Sequence, residues 1–229
     1  MLREFEQPQR PLDVDLVRRD RREFGSRGQE SGEMEGMLNW MDVHPGDTFF
    51  VPAGTVHAIG AGLVLCEIQQ NSDVTYRLYD YNRPGADGRP RPLHLEKALD
   101  VLRWETAGGR TQPVQYPDQE GTRFLLAACP YFVTEKLSLY ESALYRTDKR
   151  CEVWIGVEGA AEFESAGQRA ICRQGEAVIM PASAPTFSVN PISPCVYLRT
   201  YQPDLESGAA SLRKSGYPEQ QLRRVCFSG

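Results

Sequence analysis

The chain has 229 residues, 41% of them hydrophobic, which is enough for one sizeable all-β or mixed domain or for two small ones sharing a core. Its formal charge of −5 comes from interleaved acidic and basic residues, giving no electrostatic reason to expect a nucleic-acid or membrane-surface partner. The longest apolar runs, such as LLAAC at 125–129, fall far short of the roughly 20 residues of a membrane-spanning helix, and no charged-then-apolar leader opens the sequence, so the cytoplasm is the default compartment.

Residues 1–40 read as a helical or irregular segment: a proline-punctuated opening, then charged helix formers, then GEMEGMLNW. Acidic residues interrupt RRDRRE at 18–23, so it reads as a solvated helix face rather than a basic docking patch. From Val43 the texture changes to short β-forming runs between turn residues: FFV at 49–51, LVLCEI at 63–68 and VTYRLYDY at 74–81. NRPGADGRPRP at 82–92 is a long turn. LHLEKALDVLRW at 93–104 has helical spacing, which predicts a partial β domain with a following helix over 41–105. Residues 106–122 resemble a linker. A second β domain is expected over 123–203, with strands at FLLAA, YFVTEKLSLY, EVWIGVEGAAEFES, AVIM, TFSV and CVYLRTY, followed by a polar tail over 204–229. The six cysteines show no CxxC spacing, so neither a zinc knuckle nor a dithiol pair is suggested, and most of them read as buried apolar fillers.

One pattern occurs twice. PGDTFFVPAGTVHAI at 45–59 and QGEAVIMPASAPTFSV at 174–189 share a Gly-acid pair, an aliphatic step and a Pro-Ala turn, with equal spacing from Gly46 to Pro52 and from Gly175 to Pro181. Each reads as a tight glycine turn feeding a strand, then a proline-directed turn into the next. The pattern resembles the second half-motif of a cupin barrel, so an all-β fold of cupin or jelly-roll barrels with a small helical insertion is expected. Where the first copy carries His57 the second carries Thr186, so only one copy has a side chain suited to a metal.

His57 follows a Gly-Thr turn where a β scaffold can fix an imidazole, although a lone histidine there is more often structural than ligating. The block from Val43 to Val101, VHPGDTFFVPAGTVHAIGAGLVLCEIQQNSDVTYRLYDYNRPGADGRPRPLHLEKALDV, resembles the most distinctive part of the type I mannose-6-phosphate isomerases, with weaker similarity to about residue 201. The resemblance implies interconversion of mannose 6-phosphate and fructose 6-phosphate with one bound zinc ion (Zn2+). It also implies His57 as a zinc ligand, Arg77 as a catalytic and substrate-binding residue, Asp73 as catalytic, and Glu67 in contact with a hexose 6-phosphate. The chemistry agrees: an enediolate route needs a base near C2 and positive charge for the developing oxyanion. With regular strands, period-two alternation puts Asp73 and Arg77 on one face, where Glu67 could join them. The plainer reading of Asp73 and Arg77 is an ion pair.

Gln69, Gln70, Tyr79 and Asp80 read as satisfying buried hydrogen bonds, and His94 as a packing or helix-start residue. His44 sits at a turn and is not a ligand. The QxHP strand, the following glutamate and the lysine that the resemblance associates with the rest of the zinc and phosphate site have no counterpart here. Three readings are open: an isomerase lacking its amino-terminal half, a non-catalytic sugar-phosphate-binding or regulatory cupin, and an enzyme whose site is rearranged around Glu67, Asp73 and His94.

Overall fold

The computed structural model describes residues 38, 40–81, 83–103, 109–117, 121–203, 222, 225 and 226. The readings of residues 1–37 and 204–221 therefore lie outside the described residues. The chain divides into two compact units, residues 1–67 with 71–110, and residues 68–70 with 111–229. Among the described residues no helix is long and apolar enough to cross a membrane.

The first unit contains a two-residue strand β1 (Phe49–Phe50), helix α1 (Leu95–Val101) and strand β2 (Gly109–Arg110), which pairs antiparallel with β1. α1 falls inside the predicted helix and buries Ala98. Leu102, just beyond its end, centres a small cluster with Val56, Leu78, Tyr79 and Leu99. LVLCEI and VTYRLYDY are not strands. Their composition favours a pleated surface, but a strand exists only with a ladder partner. Ala58 through Glu67 make no backbone hydrogen bond among the described residues.

The second unit is built from strands β3 (Val114–Pro117), β4 (Gly121–Ala128), β5 (Val133–Leu139), β6 (Ala143–Arg146), β7 (Glu152–Glu158), β8 (Ala160–Ser165), β9 (Gln168–Arg173), β10 (Ala177–Met180), β11 (Thr186–Pro191) and β12 (Cys195–Tyr201). They form a six-stranded sheet, β10-β7-β12-β5-β4-β3, and a four-stranded sheet, β6-β11-β8-β9. Inward residues of both sheets interleave in one core: Leu137, Leu139, Trp154 and Tyr197 from the first, Tyr145, Phe163, Phe187 and Val189 from the second. This is the β-sandwich of a jelly roll, with alternation of buried and half-exposed positions along β5, β7 and β12. Edge strand β9 escapes an apolar-periodicity reading because only Cys172 in it is buried. Its Arg169 instead pairs with Glu162 and Glu164 on β8.

The repeated pattern has matching geometry in both units. Gly46 and Gly175 have φ of +93° and +79°, in the left-handed region that glycine enters without steric cost. The Asp47 and Glu176 amides donate to the carbonyls of His44 and Arg173, both at 3.0 Å, and their carboxylates accept from the amides of those same residues at 2.9 and 2.8 Å. Pro52 O accepts from Thr55 N at 3.1 Å and Pro181 O from Ala184 N at 2.9 Å. Past these turns the two copies diverge. In the second, β11 continues between β6 and β8; in the first, residues 56–81 join no ladder among the described residues.

Candidate functional site

Helix α1 braces both segments that carry the candidate groups of the first unit. At its C-terminal end the Arg103 amide donates to Gly54 O at 3.1 Å, in the turn that leads to His57. Gly54 has φ of +85°, and a Cβ there would come within 2.7 Å of Val101 O, so a side chain is barred on two counts. At the N-terminal end His94 clamps Arg77: its amide donates to Arg77 O at 2.8 Å, and its Nδ1 accepts from the Arg77 amide at 3.2 Å. Between the clamps, Val56 and Leu78, the sequence neighbours of His57 and Arg77, pack in the Leu102 cluster. His94 is therefore a positioning residue for Arg77 as well as the residue that starts α1.

His57 is exposed, and its Nδ1 lies 3.0 Å from Thr55 O. A carbonyl oxygen can only accept, so Nδ1 carries the hydrogen and Nε2 presents its lone pair, the arrangement usual for a metal-binding imidazole oriented by a backbone carbonyl. Beside it, the buried Thr55 hydroxyl has no hydrogen-bond partner among the described residues.

The Arg77 guanidinium donates from Nη1 to Pro92 O at 3.2 Å, and its Nε lies 3.6 Å from Asp80 Oδ1. Asp80 is buried and is the hub of this region. Arg91 binds it through both Nε, at 2.6 Å to Oδ2, and Nη2, and Arg83 reaches it through Nη2 at 3.0 Å. The Arg91 hydrogen bonds hold the Asp80 carboxyl below its ordinary range; burial opposes this and Arg83 reinforces it. Three guanidiniums thus share one carboxylate and leave the cluster positively charged. Sequence alone marks Asp80 only as satisfying buried hydrogen bonds; the arginines that converge on it from 77, 83 and 91 surround a turn closed by the Pro84 and Pro90 bridge.

A group whose folded pKa is depressed stabilises the fold at pH values above its unfolded pKa, about 3.9 for aspartate, and loses that contribution as pH falls through the folded value. Asp80→Asn is therefore expected to lower thermal stability at neutral pH and to flatten the decline in stability below about pH 4. Melting curves from pH 3 to pH 7 check this; an unchanged acid limb would mean that the arginine cluster contributes nothing to folding.

Glu67 and Asp73 are exposed and make no hydrogen bond or ion pair among the described residues. Neither His57 nor Arg77 contacts them through such a bond. His44 is engaged locally with Asp47, its Nδ1 3.8 Å from Oδ2. No group of three or more His, Cys, Asp or Glu side chains positioned to hold a metal ion occurs among the described residues. A catalytic zinc takes about three protein ligands, so His57 suits the role of one ligand, and the described residues do not fit a complete zinc site.

A different set of charges escapes the sequence reading. In the second unit Arg199 lies between β5 and β7, directly opposite Glu135 and Trp154. It donates from Nε to Glu152 Oε2 at 2.9 Å and lies 3.5 Å from Glu135 Oε2, while the Trp154 indole donates to Glu152 at 3.1 Å. Burial would push the Arg199 guanidinium down, but the hydrogen bond to Glu152 and the charges of Glu135 and Glu152 outweigh it and hold it above its ordinary value. The signal lies in the alternation: Glu135 shares parity with Leu137 and Leu139, and Arg199 with Tyr197 and Tyr201.

No family model matches the chain. Mannose-6-phosphate isomerase ManA of Bacillus subtilis is 35% identical over 167 residues, covering 73% of this chain and 53% of that protein. A mannose-6-phosphate isomerase of Streptococcus mutans is 32% identical over 151 residues, covering 66% of this chain and 48% of that protein. The crystal structure of the Bacillus subtilis mannose 6-phosphate isomerase superimposes with a TM-score of 0.74 and 28% identity, covering 84% of this chain and 60% of that one. The chain spans about half the length of the curated relatives it matches.

Proposed function

We propose that this chain, which belongs to the mannose-6-phosphate isomerase family, supplies part of a site that interconverts mannose 6-phosphate and fructose 6-phosphate. The observation that carries the reading is the two-point clamp on Arg77 beside the Asp80 cluster. Aldose-ketose isomerisation develops negative charge on the sugar oxygens as a proton leaves C2, and a fixed guanidinium offsets that charge without reorganising. Arg77 would serve this role, bound at its backbone by His94 and at its head by Pro92 O. The surplus positive charge around Asp80 suits a phosphoester, because each guanidinium keeps N–H donors beyond those given to the carboxylate. Asp73 and Glu67 are proposed as the carboxylates of the same pocket, and His57 as the one zinc ligand that the chain contributes. Its described residues do not complete a zinc site, so the remaining ligands would have to come from elsewhere in the assembled site.

The chain supplied with zinc and mannose 6-phosphate is expected to show no turnover, and turnover should appear once the portion of the family's fold that it does not match is added. Full activity from the chain alone would overturn the reading. The competing reading, a non-catalytic binder of sugar phosphates, is favoured by the lack of a three-ligand metal group among the described residues. It predicts calorimetric heat with mannose 6-phosphate that a chelator does not change, and no turnover in any combination.

A further inference from the structure

We propose that the outer edge of β10 pairs with the same edge of a second copy of this chain, about a two-fold axis at Val178, and joins the two six-stranded sheets in a weak dimer. The proposal stands apart from the proposed reaction.

The two sheets of the second unit end in β10, β3, β6 and β9. An open edge strand is a template for another chain, and natural proteins blunt it with charge or proline. β3, β9 and β6 are blunted in this way. Pro113 and Pro117 bracket β3, Arg169 and Arg173 lie in β9, and β6 ends in Arg146 with Asp148, Lys149 and Arg150 just beyond. β10 has no such device: AVIM is wholly apolar, its Ile179 is 63% exposed, and Glu176 is the single charged residue from 174 to 185.

The register of this edge points to a second copy as its occupant. Glu176 O accepts from the Gly156 amide at 2.9 Å, so Glu176, Val178 and Met180 turn their backbone groups toward β7, and Ala177 and Ile179 turn theirs away. On that outer side neither Ala177 nor Ile179 has a backbone partner among the described residues. Antiparallel self-pairing about Val178 sets Ala177 opposite Ile179 of the second copy, and Ile179 opposite its Ala177. Each pair exchanges both amide-to-carbonyl bonds, which satisfies every outward group of these residues. An axis at Ile179 would instead set Ala177 against Pro181, which has no amide to give. The side chains match as well. On the outer face Ala177 neighbours Ile155 and Ile179 neighbours Val153, so the row Ile155–Ala177 of one copy runs on into Ile179–Val153 of the other. The two Glu176 carboxylates fall at opposite ends of the junction, about 13 Å apart along the strands and beyond the screening length of about 8 Å in physiological salt.

Sedimentation equilibrium of the full chain, from about 10 μM to about 1 mM, reads the association. A junction of so few residues predicts a dissociation constant on the order of 50 μM. Hydrogen exchange followed by NMR reads the place. Raising the chain from about 20 μM to about 1 mM should slow the Ala177 and Ile179 amides about fourfold, while those of Val178 and Met180, which already serve β7, stay as they are. Ile179→Pro deletes one outward amide without touching the β7 ladder, and Ile179→Lys adds a charge of the kind the other edges carry. Each should raise the dissociation constant more than about tenfold with little change in melting temperature. A chain that stays monomeric at about 1 mM overturns the proposal. So does a dimer whose Ala177 and Ile179 amides exchange as in the monomer, or one that folded Ile179→Lys protein forms as readily as the parent. The exchange pattern is read on the parent chain, so it decides the question even where a variant does not fold.

Discussion

Arg199→Met is expected to destabilise the second unit by about 3–5 kcal/mol, the usual cost of removing one partner from a buried ion pair. The size comes from the groups left behind: Glu152 is fully buried and Glu135 nearly so, and with Arg199 gone neither keeps this close guanidinium. Arg123 is a poor substitute, since its Nη1 stands 3.9 Å from Glu135 Oε1. Packing is lost as well, because the guanidinium lies over the Trp154 and Tyr201 rings at 5.6 and 5.2 Å from their centroids. Adding Glu152→Gln to the variant should recover part of the loss, since an amide tolerates the site better than an unpaired carboxylate. Denaturant melts of the three proteins measure both effects; a single variant as stable as the parent would mean that the cluster is wetter than its burial indicates.

In the turnover-competent assembly, Arg77→Ala is expected to reduce kcat by about 10²- to 10³-fold, the range seen when one preorganised donor to an oxyanion is removed. Arg77→Lys should recover only part of this, because an ammonium cannot bind Pro92 O and approach Asp80 with the geometry of a planar fork. His94→Ala leaves the guanidinium in place but removes the acceptor that fixes the Arg77 amide. It should lower kcat with little change in KM. Steady-state kinetics of the three variants separate the roles, and a loss confined to KM in Arg77→Ala would assign Arg77 to binding alone.

Much of this fold is legible in the sequence because alternation and turn chemistry are local. The core strands β5, β7 and β12 announce themselves through Leu137, Trp154 and Tyr197 recurring at alternate positions, and α1 through the spacing of Ala98, Leu99 and Leu102. β6 and β9 are not legible in this way: the first is short, and the second is an edge whose residues are mostly polar. LVLCEI has the composition of a strand, but composition states a preference, and a ladder requires a neighbour. Around the candidate site, His57 and Arg77 can be singled out from the block that contains them. Their bracing cannot, because it depends on His94 returning to Arg77 after 17 residues and on three arginines meeting at one aspartate.

The twin turns show how such a scaffold can change its chemistry. In each unit the loop is shaped by backbone amides, carbonyls and an acid one residue beyond the glycine, and the side chain at its exit adds at most one bond, that of His57 Nδ1 to Thr55 O. The loop is a socket whose fitting is interchangeable: withdrawing the imidazole costs it the Thr55 contact, while the hydrogen bonds common to both copies stay in place.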